Sequence, residues 1–251
     1  MTSPRSARVY ADFLLPHVTT DMHLIDGGCG AGELSLEVAA EVSRLTGIDG
    51  DLAEVERARA AADASATRHA EFAVGDACAL PLRDSSADAV LGHSVLEALD
   101  RPAGALAEMH RVLKPNGVVA VASVEYGGLI LAGPHERLTR RFFDIRQRLW
   151  VSEGAAPWRG RELRGLLLAS GFVNVQATTT YICYGTEEAV REFGRGRADD
   201  CVDDWYVDGA GREHLATPRD LAALREAWLE WSESPASYAA FAWCRALGWK
   251  A

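Results

Sequence analysis

Three carboxylates stand at the ends of short apolar runs: Asp26 after Leu24-Ile25, Asp49 after Gly47-Ile48, and Asp76 after Glu71-Phe72-Ala73-Val74-Gly75. Between the first two lies the turn Gly27-Gly28-Cys29-Gly30-Ala31-Gly32. Glycine serves where a chain must reverse tightly, adopt positive φ, or bring backbone N–H groups close to a ligand. A strand, a glycine turn and a helix in succession place a ligand at the carboxyl end of the strand, against the helix N-terminus. Asp49 follows Asp26 by 23 residues, the separation at which an acid beyond such a turn accepts ribose hydroxyls. Each acid taken singly also reads as a helix cap or turn residue. The glycines run Gly28-x-Gly30-x-Gly32, and Glu33 stands where a dinucleotide fingerprint wants its last glycine. A carboxylate there would repel a pyrophosphate, so the turn suits a ligand without phosphates.

The surrounding pattern predicts the elements that hold these residues. Strands are expected at His23–Asp26, Thr46–Asp49, Glu71–Val74 and Ala87–Gly92, with a continuous apolar run at Val118–Val124 suited to a buried parallel strand. Helices alternate with them. One carries Leu34, Val38, Val42 and Leu45 near helical spacing, one is capped by Asp51 and runs through Val55, Ala58 and Ala62, and one spans Pro102–Leu113 before Lys114-Pro115-Asn116-Gly117 breaks it. Alternation of this kind implies an α/β fold with a doubly wound sheet. Residues 1–20 read as a helical lead-in with Val9, Phe13 and Leu14 on one face, ended by Pro16. Beyond residue 124 the expectation is helix at Arg137–Val151, Arg161–Ser170, Thr186–Phe193 and Pro218–Trp231, and strand at Phe172–Tyr181 and Ser237–Arg245, with Gly194–Asp204 as a loop.

Composition narrows the function classes. The chain has 251 residues, 26 Lys and Arg against 36 Asp and Glu, and a formal net charge of −10, which argues against nucleic acid and anionic membrane as partners. Five scattered cysteines without a CxxC pair make a disulfide framework or a metal site unexpected and suit a reducing, cytoplasmic setting. No secretory leader or run long enough to span a membrane is read.

The motifs together carry a resemblance. Ile25-Asp26-Gly27-Gly28-Cys29-Gly30-Ala31-Gly32 resembles the first motif of the class I S-adenosylmethionine-dependent methyltransferases, and Gly47-Ile48-Asp49 their second. Gly75-Asp76-Ala77, with Leu80-Pro81-Leu82, Asp84, Ser86, Asp88 and Val90, resembles the third, and Glu108-x-x-Arg111-Val112-Leu113-Lys114-Pro115-Asn116-Gly117 resembles the segment before the fifth strand. The likeness covers residues 20–124 and is nearest to the ubiquinone/menaquinone C-methyltransferase-like enzymes that act on small molecules. It implies a mostly parallel, seven-stranded Rossmann-like sheet, a cofactor-binding core over residues 1–124, and a remainder, 125–251, that completes the sheet and inserts helices as an acceptor lid.

The resemblance also implies the cofactor, S-adenosyl-L-methionine, and a place for each part of it. Asp26, Gly27, Gly28 and Gly30 would take the methionine moiety. Asp49, with Gly50 beside it, would accept from the ribose hydroxyls, and Asp76 from the adenine amino group next to the Ala77 N–H. His93 would flank the sulfonium, although its ring serves packing equally well. A base is needed only if the acceptor must lose a proton; His93, Glu125 and Tyr126 are the candidates, with Glu97 and His135 behind them. The activity expected is O-, N- or C-directed methyl transfer to a small organic acceptor, anionic or aromatic. The strand-four end reads Gly92-His93-Ser94-Val95, not the Asn-Pro-Pro-Tyr type of motif of amino-directed nucleic-acid and protein methylation. The basic helix Arg137–Arg148 suits an anionic acceptor, though a solvated face paired with local acids is the commoner arrangement. Trp150, Trp158 and Trp205 could wall an aromatic acceptor. A cofactor-binding protein without methyl transfer and an NAD(P)-dependent oxidoreductase remain as alternatives. A homodimer is compatible with the sequence, which does not indicate one.

Overall fold

The computed structural model describes residues 6–65 and 67–251. Its elements, in chain order, are α1 (Ala7–Tyr10), β1 (His23–Gly27), α2 (Glu33–Ala39), β2 (Arg44–Asp49), α3 (Leu52–Ala64), β3 (Ala70–Val74), β4 (Ala87–His93), α4 (Pro102–Val112), β5 (Leu113–Ala132), α5 (Glu136–Ser152), α6 (Leu163–Ala169), β6 (Val173–Tyr184), α7 (Glu187–Asp200), α8 (Asp204–Arg212), α9 (Pro218–Glu233) and β7 (Tyr238–Trp249). Among the described residues seven strands form one sheet in the order β3-β2-β1-β4-β5-β7-β6. The pairs β1–β2, β1–β4, β2–β3 and β4–β5 are parallel. β7 runs the other way, since its C-terminal neighbour Lys250 exchanges backbone hydrogen bonds with Asn116 and Gly117 at the start of β5. The order reverses beside β1, as a doubly wound sheet requires.

The chain divides into two compact units. Of the described residues, one comprises those up to Val124 together with Arg159–Thr179 and Cys244–Ala251; the other comprises Glu125–Trp158 and Thr180–Trp243. In the first, successive strand residues point to opposite sides, and each side has its own core. Leu24, Ala89, Leu91, Val118 and Ala120 pack with Leu34, Val38, Val55 and Ala58 of α2 and α3. Ile25, Val90, Val119 and Val121 pack with Leu106, Met109 and Val112 of α4 and with Leu163 and Leu167 of α6. Strands buried on both faces read as unbroken apolar runs, which is why they are legible.

The second unit is built on aromatic rings. Phe142 stacks on Tyr206 at 4.8 Å and meets Trp228 edge-on at 5.7 Å, while Phe193 meets Trp228 and Trp231 at 5.8 Å each. Trp228 and Trp231 are fully buried, whereas Trp158 is 41% exposed. α9 opens with a capping box of Thr217 and Asp220; the bonds from Thr217 hold the Asp220 carboxyl down at about 2.

Four expectations change. The helix expected to carry Leu34, Val38, Val42 and Leu45 ends at Ala39, and Leu45 lies in β2. The lead-in helix is a single turn; Ala7 is its buried position, Ala11 and Leu14 are buried just beyond it, Val9 is 45% exposed, and Pro16 lies inside a following 3-10 turn. β5, β6 and β7 are all longer than the apolar runs that suggested them. Gly194–Asp204 is not a loop: α7 continues to Asp200 and α8 begins at Asp204, capped by Asp203. Its biased, polar and aspartate-rich composition suggested a loop. Gly194 is instead a contact residue, because a Cβ there would stand 2.6 Å from Ser232 Cβ on α9. Gly194→Ala should therefore destabilise the fold by about 1–3 kcal/mol through overpacking. Gly196→Ala, with nothing within 4 Å, should stabilise it by about 0.5–1 kcal/mol by helix propensity. Denaturant midpoints for the two variants check the pair, and equal effects would mean that α7 does not pack there as described.

Candidate active site

The site grows from the turn after β1. Gly28, Gly30 and Gly32 have φ of 85°, 52° and 78°, a region open chiefly to glycine. The turn is tied to β2: the N–H groups of Gly28 and Cys29 both donate to the Ile48 carbonyl, at 2.7 and 3.1 Å. The Gly30 N–H donates to Asp49 Oδ2 at 2.8 Å. A Cβ at Gly28 would come within 2.2 Å of Val95 Cγ2, so glycine is demanded there by space as well as by φ. α2 has seven residues and opens on Glu33.

Asp49 ends β2 half-buried, and its Oδ1 accepts from the Asp51 N–H at 3.0 Å. A carboxylate offers about four acceptor positions, so two backbone bonds leave acceptor capacity. Asp76 is exposed and accepts from the Cys78 N–H at 2.7 Å. Its loop is latched from below by Arg111 of α4, which donates to the Leu82 carbonyl at 2.8 Å and the Leu80 carbonyl at 3.1 Å, and pairs with Asp84 and Glu108 at 2.6 Å each. Glu108 in turn accepts from the Leu80 N–H at 2.8 Å. The Glu108-x-x-Arg111 segment thus acts as scaffold for the Asp76 loop.

At the end of β4 the chain turns through Ser94, whose φ of 60° is rare for a side chain with a Cβ. Its N–H donates to the Ala122 carbonyl at 2.9 Å. Non-glycine residues in this region store strain and concentrate at functional sites.

These ends enclose a cavity of about 490 Å³, lined by Gly28, Asp49, Gly50, Val74, Gly75, Asp76, Ala77, Ser94, Val95, Ala98 and Leu99. That volume is ordinary for a small-molecule site. Two carboxylates face it, and none of the lining residues is a lysine or arginine. The structure therefore gathers Gly28, Asp49, Gly50, Asp76 and Ala77. Asp26, Gly27, Gly30 and His93 are not among the lining residues. Val95, Ala98 and Leu99 line it unforeseen; the signal for them was their position directly after the Gly92-His93-Ser94 strand end. Among the described residues no group of His, Cys, Asp and Glu is placed to hold a metal.

The remaining candidates separate. His93 is buried, its ring edge-on to Tyr10 at 5.4 Å and its Nδ1 3.2 Å from Ser94 Oγ. Glu97, also buried, accepts from Ser123 Oγ at 2.6 Å. Glu125 and Tyr126 belong to the second unit; Glu125 accepts from the Gly127 N–H at 2.9 Å, and the Tyr126 ring meets Trp150 edge-on at 5.5 Å. His135 pairs with Glu230 on an exposed surface.

Asp26 is 2% exposed and accepts from Ser35 Oγ at 2.5 Å. Burial pushes its carboxyl up to about 6, against the pull of the Ser35 bond and with added repulsion from Asp49. Burial and the same two acids raise the Cys29 thiol well above its ordinary range, which disfavours the thiolate.

A turn pressed onto β2, carboxylates at the strand ends and a cavity without cations together define a nucleoside-type site on a doubly wound sheet. Residues 25–121 match the methyltransferase domain family. That match takes in the four motifs that resemble those of the class I S-adenosylmethionine-dependent methyltransferases. It is similar to a methyltransferase of Schizosaccharomyces pombe, at 25% identity over 91% of this chain and 84% of that one. It is also similar to a ubiquinone/menaquinone biosynthesis C-methyltransferase of Geotalea daltonii, at 34% identity over 39% of this chain and 43% of that one. The chain thus spans most of the first relative and under half of the second. The YcgJ protein of Bacillus subtilis shares the fold, with a TM-score of 0.63 at 16% identity over 97% of this chain and 98% of that one.

The buried acid generates a pH dependence. Asp26 is raised from 3.8 to about 6 on folding, so its favourable contribution is complete below about pH 4 and is lost as pH rises through 6. Asp26→Asn removes that loss. Urea unfolding of parent and variant at pH 4, 5, 6 and 7 should show the variant gaining on the parent by up to about 3 kcal/mol between the extremes. A constant difference across that range would contradict the burial effect.

Proposed function

We propose that this chain transfers the methyl group of S-adenosylmethionine to a small organic acceptor, with the cavity at the ends of β1, β2 and β4 holding the nucleoside. The supporting observation is the lining itself: two carboxylates, glycine backbone and short apolar side chains, with no cation among them. A phosphate-bearing dinucleotide would need positive charge or a free helix terminus to meet it. S-adenosylmethionine supplies a methyl group already activated on a cationic sulfur. The protein has then to orient the acceptor in line and keep water out.

The residues divide that task. The turn at Gly27, Gly28 and Gly30 offers open backbone to the methionine portion, with Asp26 beneath it. Asp49 accepts from the ribose hydroxyls beside Gly50, and Asp76 and Ala77 hold the adenine edge. Val95 and Leu99 supply apolar surface to the base. His93 is the base candidate in the same unit as the cavity, one residue before Ser94; it would hold or take up a proton at its imidazole. Glu125 and Tyr126 fall to the acceptor side, in the unit that we assign to acceptor recognition. A small acceptor is supported by the net charge of −10, and an aromatic one by the relative named for ubiquinone/menaquinone biosynthesis.

Asp49 provides the test. Asp49→Ala should weaken S-adenosylhomocysteine binding by about 1–3 kcal/mol in calorimetry, as charge-assisted hydrogen bonds to hydroxyls are lost. Because Asp49 also holds the Gly30 N–H, the same variant is to be measured with the 2′,3′-dideoxy analogue, which the parent should bind weakly and the variant no more weakly. Equal losses for both ligands would assign Asp49 to the turn alone.

A further inference from the structure

The arginines of α5 are not alike. Arg140 pairs with Glu136 at 2.7 Å and Arg141 with Asp220 at 3.1 Å, each half-exposed and each with its own acid. These are ordinary surface pairs. Arg146 differs. Its side chain is 22% exposed, its Nη1 donates to Asp200 Oδ2 at 3.1 Å, and its Nε is closed to solvent without a hydrogen-bond partner. Arg197 of α7, 18% exposed, brings its Nε to 2.8 Å from the same Asp200 oxygen.

Two guanidiniums thus converge on one oxygen of one carboxylate. That oxygen has two lone pairs to give, and the cluster keeps a surplus of one positive charge. Burial holds Arg197 below the ordinary guanidinium range; Asp200 opposes this, and Arg146 adds to it. The surroundings are aromatic. Arg146 lies 5.9 Å from the Trp150 ring and 5.6 Å from that of Trp205, and Arg197 lies 5.1 Å over Phe193. Tyr126 touches Trp150 edge-on and, with Tyr184, lies within the field of Arg197. A desolvated surplus charge is costly unless an anion meets it. A monoanion balances it, whereas a phosphate dianion would overshoot. Guanidinium forks match a carboxylate in shape, and flat rings around them match a flat body.

We propose that Arg146 and Arg197 anchor the carboxylate of an aromatic methyl acceptor, with Asp200 fixing the two guanidiniums in position. This rests on the methyl-transfer reading above and names the acceptor class for it. The cluster lies wholly within the second unit, and α5, α7 and the α7–α8 junction supply it.

Benzoate and its neutral isostere benzamide are the probes, followed by calorimetry on the intact chain saturated with S-adenosylhomocysteine. Benzoate should bind at least tenfold more tightly than benzamide. Arg146→Gln and Arg197→Gln should each lower benzoate affinity tenfold or more and leave benzamide unchanged. Asp200→Asn should act in the opposite sense and tighten benzoate binding several-fold, because it raises the surplus charge. That reversal would not follow from a purely structural triad, and it keeps the test decisive if an arginine variant fails to fold. Equal affinity for the two probes, no saturable benzoate binding up to about 10 mM, or weaker benzoate binding in Asp200→Asn would overturn the proposal. S-adenosylhomocysteine binding, titrated separately without benzoate, reports on the methyl-transfer reading by itself, so the two can fail independently.

Discussion

The turn after β1 is held by β2. Two successive N–H groups, of Gly28 and Cys29, converge on the Ile48 carbonyl, and the next, of Gly30, reaches the Asp49 carboxylate. This lacing sets the separation between the two strand ends and therefore the width of the cavity. It demands backbone conformations with positive φ at Gly28, Gly30 and Gly32, and it demands bare backbone, since Val95 already occupies the space of a Gly28 Cβ. Gly32 and Gly47 are constrained in the same way by Phe72, whose ring atoms would lie 3.1 and 2.4 Å from their added Cβ atoms. One phenyl ring of β3 thus wedges beneath the turn and keeps it raised.

The other side of the cavity is fixed by independent means. The Asp76 loop hangs on Arg111 and Glu108 of α4, a pair that is partly shielded and makes bonds to backbone as well as to each other. Such a bidentate, multiply bonded arginine is worth more than a surface pair, and it transmits the position of α4 to the rim. Ser94, in its left-handed conformation, completes the enclosure where β4 ends. Three strand ends are thus positioned by three different devices: a glycine turn, an arginine latch and a strained serine. Bonds to the Ile48, Leu80, Leu82 and Ala122 carbonyls hold the rim through backbone, and Asp49 gives part of its carboxylate to the Gly30 and Asp51 N–H groups.

How far this was legible follows from the physics of each part. β1 and β2 announce themselves because strands covered on both faces are largely apolar, and they stop at an acid; β4 is as apolar but runs into His93. The order of motifs in residues 20–124 then carried the resemblance and the cofactor it implies. The latch was visible only as a motif; nothing in Glu108-x-x-Arg111 says that its bonds go to Leu80 and Leu82, because backbone acceptors leave no trace in side-chain spacing. α7 was misread at Gly194 for a related reason. A glycine chosen for close approach to Ser232 looks, in sequence, the same as a glycine chosen to end a helix. The 3.6-residue rhythm of Val190, Phe193 and Ala198 continues through it, and the propensity penalty of two glycines is smaller than the burial that the rhythm provides. In the second unit, the tryptophans that build the core and those that border charge look alike in sequence. Only burial separates Trp228 and Trp231 from Trp150 and Trp205.

Charge is distributed between the units in opposite senses. The cavity of the first is bordered by Asp49 and Asp76 with Asp26 behind them, and a ligand that carries net positive charge at its reacting sulfur gains from that field whether or not it touches each acid. The second unit carries the buried surplus of Arg146 and Arg197 over Asp200. A cationic donor and an anionic acceptor would thus be sorted by charge before any fine contact is made, each repelled by the site of the other. Specificity obtained in this way needs an unfavourable term against the wrong ligand as well as a favourable one for the right ligand, and with the proposed roles the two clusters would supply both.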